Sequence, residues 1–270
     1  MSHVIDIEQV YQYSQAIRLP KMCYQSLDFK DQPIAEGLYK YILNKVGVLV
    51  ISLGYEEESS ESLERIVQLL GSPHTHSTGE DAVWHIKQGG DSGKEKLARS
   101  HKLNEFVLHT DCSYEKTIPD YFGLYCVRHD RHDGGKNLLV DCSTLIQHLT
   151  PESLDILQNE AVDIIVPPEF KRGVESISAK IIDRNFNVRY RKEIINEKTL
   201  TPELKKALAE FERLCHSPVL NRTLELKDGQ ILILDNRRYL HARTTINDPL
   251  RHLMRIRFFT EFDKYKEQVK

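Results

Sequence analysis

The chain has 270 residues, enough for one sizeable hydrophobic core. Its 37 basic and 40 acidic residues leave a formal net charge of −3, without the basic excess that draws nucleic acid or an anionic membrane surface. The longest apolar run, Val46 to Leu53, is interrupted by Gly47 and Ser52 and is too short to span a bilayer; with no basic-then-apolar N-terminus, a cytoplasmic protein with no membrane partner is expected.

Along the chain, Ile34, Leu38, Tyr41 and Ile42 recur at helical spacing, predicting a helix over Pro33 to Lys45 that ends near Gly47. Val48 to Leu53 is apolar and β-branched and reads as a buried strand, and Ser62 to Leu70 returns to helical spacing. These segments give a helix-rich N-terminal cap over residues 1–80, laid over a sheet. From Glu105 onward the pattern changes to short extended segments: Phe106 to His109, Tyr121 to Val127, Leu138 to Asp141, Val162 to Val166, Ala179 to Ile182, Val188 to Tyr190, Val219 to Leu226, Ile231 to Leu234 and Met254 to Phe259. Many short strands imply a sandwich or barrel, so residues 81–260 form the β core of a single domain spanning 1–270. Helical insertions are predicted over Thr144 to Gln158 and Thr201 to Cys215, the second opened by a Thr201 cap and Pro202. Gln88 to Ala98 and Tyr190 to Lys198 read as mobile surface loops. The five cysteines, Cys23, Cys112, Cys126, Cys142 and Cys215, are scattered without a CxxC pair, so free thiols are expected.

His109-Thr110-Asp111 follows the apolar stretch Phe106-Val107-Leu108. Side chains alternate across a strand, so His109 and Asp111 share a face. His241, beyond the strand Ile231 to Leu234 and the turn-like Asp235 to Arg238, is the leading candidate for a third ligand. Two histidines and one carboxylate take one face of an octahedral metal and leave three positions open, the arrangement that suits non-heme Fe(II). Two other clusters compete. His74-Thr75-His76 has the same spacing but is flanked by Pro73 and by Ser77-Thr78-Gly79, which reads as a loop; Arg128 to Gly135 carries adjacent His-Asp pairs that would face opposite ways in a strand and ends in a double-Gly turn. Beyond His241, Arg251 and Arg255 stand four residues apart at the mouth of a strand whose Ile256 and Phe258 face the core. A planar guanidinium grips a carboxylate through two parallel hydrogen bonds, which is what holding a dicarboxylic oxo-acid requires.

Four runs carry a resemblance in both content and order: Glu80 to Ile86, Glu105 to Glu115, Gly134 to Asp141, and Asp235 to Thr244. Together they resemble the taurine dioxygenase and clavaminate synthase family over about two-thirds of the chain. The resemblance implies a mixed α/β fold with an all-β core, a double-stranded β-helix or jelly roll flanked by helices. It implies iron on His109, Asp111 and His241, with Arg251 on the far carboxylate of 2-oxoglutarate and Arg255 facing substrate or cosubstrate. The family's Gly-Gly-x-Thr segment departs here to Asn137, whose amide can still donate to the oxo-acid.

That reading makes the chain a dioxygenase consuming Fe(II), 2-oxoglutarate and O2, hydroxylating a small polar molecule such as an amino acid or biosynthetic intermediate. Desaturation and ring closure use the same ligands and stay open. Asp111 argues against halogenation, which needs its position vacated for halide. The reading from another class is a non-catalytic jelly-roll binding protein. Cys112 to Pro119 is a candidate lid, with Tyr114 and Glu115 as candidate substrate contacts. The oligomeric state is left open.

Overall fold

Hydrophobic alternation decides which way each strand faces, and the facing decides the layers. The computed structural model describes residues 7–16, 19–75, 81–88 and 98–260. In chain order the first half holds α1 (Ile7–Tyr13), β1 (Gln15–Ala16), β2 (Tyr24–Leu27), α2 (Glu36–Val46), β3 (Val48–Leu53), α3 (Glu61–Leu70), β4 (Ser72–His74), β5 (Trp84–Ile86) and β6 (Phe106–His109). There follow β7 (Tyr121–Arg128), β8 (Asn137–Asp141), α4 (Cys142–Ile146), α5 (Pro151–Asn159), β9 (Ala161–Ile165) and β10 (Ser176–Lys180). The chain then runs through α6 (Pro202–Cys215), β11 (Asn221–Leu224), β12 (Gln230–Asp235), β13 (Tyr239–Arg243) and β14 (His252–Phe259).

Two sheets carry the architecture. One has the order β1-β11-β8-β13-β6; the other runs β2-β3-β12-β7-β14-β4, with β5 also paired to β14. Val50, Phe122, Leu124, Leu139, Leu232 and Leu253 belong to a cluster drawn from both sheets, the layer between them. One residue along, Leu49, Ile51, Ile231 and Ile233 turn the other way and bury α2 and α3, while Leu138, Val140, Leu240 and Ala242 pack with Leu157 of α5 and Phe211 of α6. The period of two thus sends alternate residues to opposite layers, and the result is a mixed α/β fold of four layers.

Local signals act where they were read. Helix α2 stops at Gly47, left-handed at φ 79°, whose N–H donates to the Leu43 carbonyl at 2.9 Å. Helix α6 starts at Thr201, whose hydroxyl accepts from the Leu204 N–H at 3.1 Å, with Pro202 in the first turn.

Several expectations are corrected. Val48–Leu53 is no part of a cap over the sheet: β3 lies inside it, between β2 and β12, because its apolar residues bury both faces. The single helix expected over Thr144 to Gln158 is two, split where the Thr150 side chain accepts from Ser153 N–H and Pro151 opens a new first turn. His74 is not in a loop but ends β4, opposite Arg257 of β14. Tyr190 to Lys198 is not a loose loop, since Tyr190 is 2% exposed and donates its hydroxyl to Glu212 at 3.0 Å, and Ile194 and Ile195 are buried with it. The strand expected at Val188 to Tyr190 reduces to a bridge between Ile182 and Val188. Most of Gln88 to Ala98 lies outside the described residues. All five cysteines are free and buried. Among the described residues no helix is long and apolar enough to cross a membrane.

Gly71 joins α3 to β4, and a Cβ there would stand 1.8 Å from the Phe259 carbonyl oxygen, a backbone atom of β14. Gly71→Ala therefore costs about 1–3 kcal/mol as an overpacked site, seen as a lower urea midpoint. Gly37→Ala, in α2 with nothing within 4 Å of the added methyl, leaves stability unchanged or raises it by up to about 1 kcal/mol. Equal effects at the two positions would refute the packing assigned to β4.

Candidate active site

The site begins with a register. β13 pairs antiparallel with β6 so that His241 stands directly opposite His109. Directly opposed residues share a face, and the two rings lie 4.2 Å apart between centroids. The pairing shifts between His241 and Arg243, an irregularity of the kind that re-aims side chains at functional sites. Asp111, two residues beyond His109, returns to the same face. Its Oδ1 lies 3.6 Å from His109 Nε2 and 3.8 Å from His241 Nε2. Ligand atoms of the three residues all fall within 4.8 Å of one another.

The protonation states make this convergence informative. His109 Nδ1 lies 2.8 Å from the Val107 carbonyl, which holds the ring proton there and leaves Nε2 a bare lone pair aimed at Asp111. Burial, and then the neighbouring His241, push the His109 pKa down to about 3, so the imidazole is neutral at physiological pH. His109 Nε2 is buried without a hydrogen-bond partner. Burial alone would raise the Asp111 pKa, but Arg255 and Arg257 hold it well below the usual carboxylate range. Arg255 and Arg257 balance the Asp111 charge, while donor atoms of the two imidazoles and the carboxylate converge on one buried space, and a metal ion fits that donor set.

Asp111 is anchored from behind. Asn236, fully buried in the turn between β12 and β13, accepts the Asp111 N–H at 2.8 Å and donates to the Asp111 carbonyl at 3.1 Å and the Pro119 carbonyl at 3.0 Å. From the front, Arg255 Nη1 donates to Asp111 Oδ1 at 3.1 Å and Arg257 Nε to Oδ2 at 2.9 Å. Neither Asn236 nor Arg257 stood out in the sequence. The Asp-Asn-Arg-Arg run reads as an ordinary turn, and Arg257 shows its direction only through its two-residue offset from Arg255.

Deeper between the sheets, His109, His241, Asn137, Arg251 and Arg255 line one cavity walled by apolar side chains such as Leu124 and Leu232. Arg251 is 5% exposed and its Nη1 is buried without a hydrogen-bond partner, so a guanidinium edge is free to take a carboxylate. Gly135, at φ 64°, makes room for it, since a Cβ there would stand 2.6 Å from Arg251 Nε. Burial lowers the Arg251 pKa only to about 10, and it stays charged. Asn137 shares the cavity, but its Nδ2 already donates to the Leu224 carbonyl at 3.1 Å. Toward the mouth, Tyr114 is buried and stacks on Phe170 at 4.9 Å between centroids, near Arg99 and Arg191. Glu115 is the site residue expected from sequence that the fold takes elsewhere: it turns away to His74, 2.8 Å off. Of the rival clusters, Arg128 to Gly135 borders a cavity behind Arg251 rather than the ligand face.

A family model described as taurine catabolism dioxygenase TauD, TfdA family matches residues 27–257. No curated protein matches the chain. Among solved structures, that of an asparagine oxygenase in complex with Fe(II), 2S,3S-3-hydroxyasparagine and succinate superposes with a TM-score of 0.69 at 19% identity, over 82% of this chain and 78% of that one. The non-heme iron oxygenase OrfP in complex with Fe and α-ketoglutaric acid gives 0.68 at 17%, over 84% and 80%. PvcB from Pseudomonas aeruginosa gives 0.62 at 18%, over 84% and 80%. At such identities the likeness is one of fold.

Asn236→Ala would leave the buried Asp111 N–H and two carbonyls without their partner, at about 1–3 kcal/mol for each unsatisfied group. Binding of Mn(II), followed by titration calorimetry, should weaken by about ten- to a hundredfold, as for other residues that orient a ligand. An unchanged affinity in a folded Asn236→Ala protein would show that Asp111 needs no such support.

Proposed function

The chain belongs to the taurine catabolism dioxygenase TauD, TfdA family, and on that premise we propose that its two histidines, carboxylate and buried arginine form the centre of an Fe(II)- and 2-oxoglutarate-dependent oxygenase acting on a small polar molecule. The observation that carries the assignment is the facing of three lone-pair donors within 4.8 Å, with the open Nη1 edge of the Arg251 guanidinium deeper in the same cavity. His109, Asp111 and His241 hold the iron in this reading, and Arg251 holds the far carboxylate of 2-oxoglutarate. The enzyme is a 2-oxoglutarate-dependent dioxygenase using Fe(II), 2-oxoglutarate and O2. When bound, ferrous iron with 2-oxoglutarate and dioxygen supplies an oxidant strong enough to break an unactivated C–H bond, with succinate and carbon dioxide released.

The protein's own residues supply placement. Asn236 and Arg257 fix the Asp111 carboxylate, so the ligand set is organised before the ion arrives. Leu124, Leu139 and Leu232 keep the inner wall of the cavity dry, which strengthens the grip of Arg251 on an anion. Asn137 turns a polar side chain into the same space, where the family resemblance has threonine. The sheet order supports reading the two facing sheets as the double-stranded β-helix of this family, formed by one domain.

For the substrate, the mouth offers Arg99, Arg191 and Arg255 beside the Tyr114–Phe170 stack. Arg191 lies over the Phe106 ring, 5.2 Å from its centroid, and cationic groups beside aromatic faces suit a small molecule with a carboxylate such as an amino acid. Two relatives in fold hold such molecules, the asparagine oxygenase with hydroxyasparagine and OrfP with (3S)-hydroxy-L-Arg. Tyr114 remains a candidate contact, and Arg255 reaches both the mouth and the inner cavity.

Succinate release from 2-oxoglutarate should require Fe(II) and vanish in His109→Ala and Asp111→Ala, and the weak visible band of the anaerobic ferrous 2-oxoglutarate complex should vanish with it. Arg251→Ala should raise the 2-oxoglutarate requirement by about one to two orders of magnitude, from the roughly 1.5–3 kcal/mol of a charged hydrogen bond, with Arg251→Lys between the two. Full turnover in Asp111→Ala, or an unchanged 2-oxoglutarate requirement in Arg251→Ala, would sink the respective assignment.

A further inference from the structure

A second cluster of metal-capable side chains stands one residue beyond the iron-binding face. Cys112 follows Asp111 in the left-handed region at φ 57°, unusual for a side-chain-bearing residue. That turn, closed by the Glu115 N–H donating to the Cys112 carbonyl at 2.8 Å, brings Cys112 and Glu115 to one side. β4 comes from much earlier in the sequence to meet them, because its pairing with β14 sets His74 opposite Arg257. His74 Nε2 lies 2.8 Å from Glu115 Oε2, and the Cys112 sulfur, the His74 ring and the Glu115 carboxylate offer atoms all within 4.8 Å of one another. Cys112 is 3% exposed, and the His74 and Glu115 side chains are 10% and 23% exposed, so the cluster is recessed but reachable from solvent.

We propose that Cys112, His74 and Glu115 form a second metal site, distinct from the site of His109, Asp111 and His241, that takes a borderline-soft divalent ion such as Zn(II). The donor set selects the ion. Sulfur from Cys112 disfavours hard cations such as Mg(II) and Ca(II), whereas one sulfur, one imidazole nitrogen and one carboxylate oxygen suit four-coordinate zinc with water in the fourth position. Around such an ion neighbouring donors stand roughly 3.5 Å apart, so the ion takes the place of the His74–Glu115 hydrogen bond and draws in donor atoms that lie within 4.8 Å of one another. Charge also balances: the thiol proton leaves to solvent, and thiolate and carboxylate together match the two positive charges of the ion. The side chain of Arg257 is already committed to Asp111, with Nε 2.9 Å from Oδ2. An ion at this position ties β4 to the segment that follows the iron ligands, holding the candidate lid Cys112 to Pro119 against the edge of the sheet.

The discriminating probe is Co(II), which gives an intense near-ultraviolet thiolate-to-metal charge-transfer band only when sulfur binds it. The site of two histidines and a carboxylate contains no sulfur and is silent in this readout. Titration of the full-length protein with Co(II) should give the band, reversed by Zn(II), and His241→Ala should retain it. Cys112→Ser should lose it, and His74→Ala and Glu115→Gln should require at least tenfold more Co(II). In a His241→Ala background, where the first site is disabled, Zn(II) should raise the melting temperature, and adding Cys112→Ser should remove that rise. If Cys112→Ser does not fold, the His74→Ala and Glu115→Gln titrations decide the matter alone. Absence of a thiolate band from the wild type, its persistence in folded Cys112→Ser, or unchanged affinity in both other variants would overturn the proposal. None of these results depends on whether the first site binds iron.

Discussion

The antiparallel register between β6 and β13 is the constraint on which the rest of the site depends. It sets His241 opposite His109, and a slip of one residue would send one of the two imidazoles to the far face of the sheet. The register is held by side chains with no chemistry of their own. Leu240 and Ala242 must reach the helices while His241 faces the space between the sheets, and the same rule fixes Leu138 and Val140 on one side of β8 and Leu139 on the other. Hydrophobic burial on two sides of each sheet therefore aims the ligands, and the energy that folds the protein also pre-organises its centre.

Electrostatics adds a second layer of constraint. Asp111 carries a buried negative charge, and Arg255 and Arg257 meet it from β14, where alternate residues share a face. Burying a carboxylate is costly unless it is paired and hydrogen-bonded, and Asp111 is both. Arg251, just before β14, adds a third buried guanidinium deeper in the cavity. The divalent ion proposed for this face would raise that positive excess further. The cavity is thus built for anions, which agrees with an oxo-acid deep inside and an acidic group on the molecule at the mouth.

The segment after Asp111 is the most economical part of the chain. Within a few residues it provides the carboxylate, the left-handed turn at Cys112, the Tyr114 that stacks on Phe170, and Glu115 on His74. Backbone contacts hold it from both sides: Asn236 from the turn after β12, and Arg189, which donates to the Ser113 carbonyl at 2.9 Å and the Lys116 carbonyl at 3.0 Å. A segment offered as a lid is therefore fastened along its length, since Arg237 also donates to the Ile118 carbonyl at 3.0 Å.

The sequence alone determined the features that depend on neighbours along the chain. The His109-Thr-Asp111 spacing on an apolar strand, the helix stop at Gly47, the Thr201-Pro202 start and the core-facing Ile256 and Phe258 all follow from periodicity, capping and alternation, which act over a few residues. The family resemblance extended this reach to His241 and Arg251, whose distance from His109 no local rule spans. Tertiary structure decided what long-range pairing decides. It drew β3 into the sheet, moved His74 from an apparent loop to a strand beside Cys112, turned Glu115 from the mouth to that histidine, and set Asn236 behind Asp111 across 125 residues. Side-chain direction in a strand is local, but which strand lies alongside is settled by burying whole faces at once, and that choice is not written in any short stretch of residues.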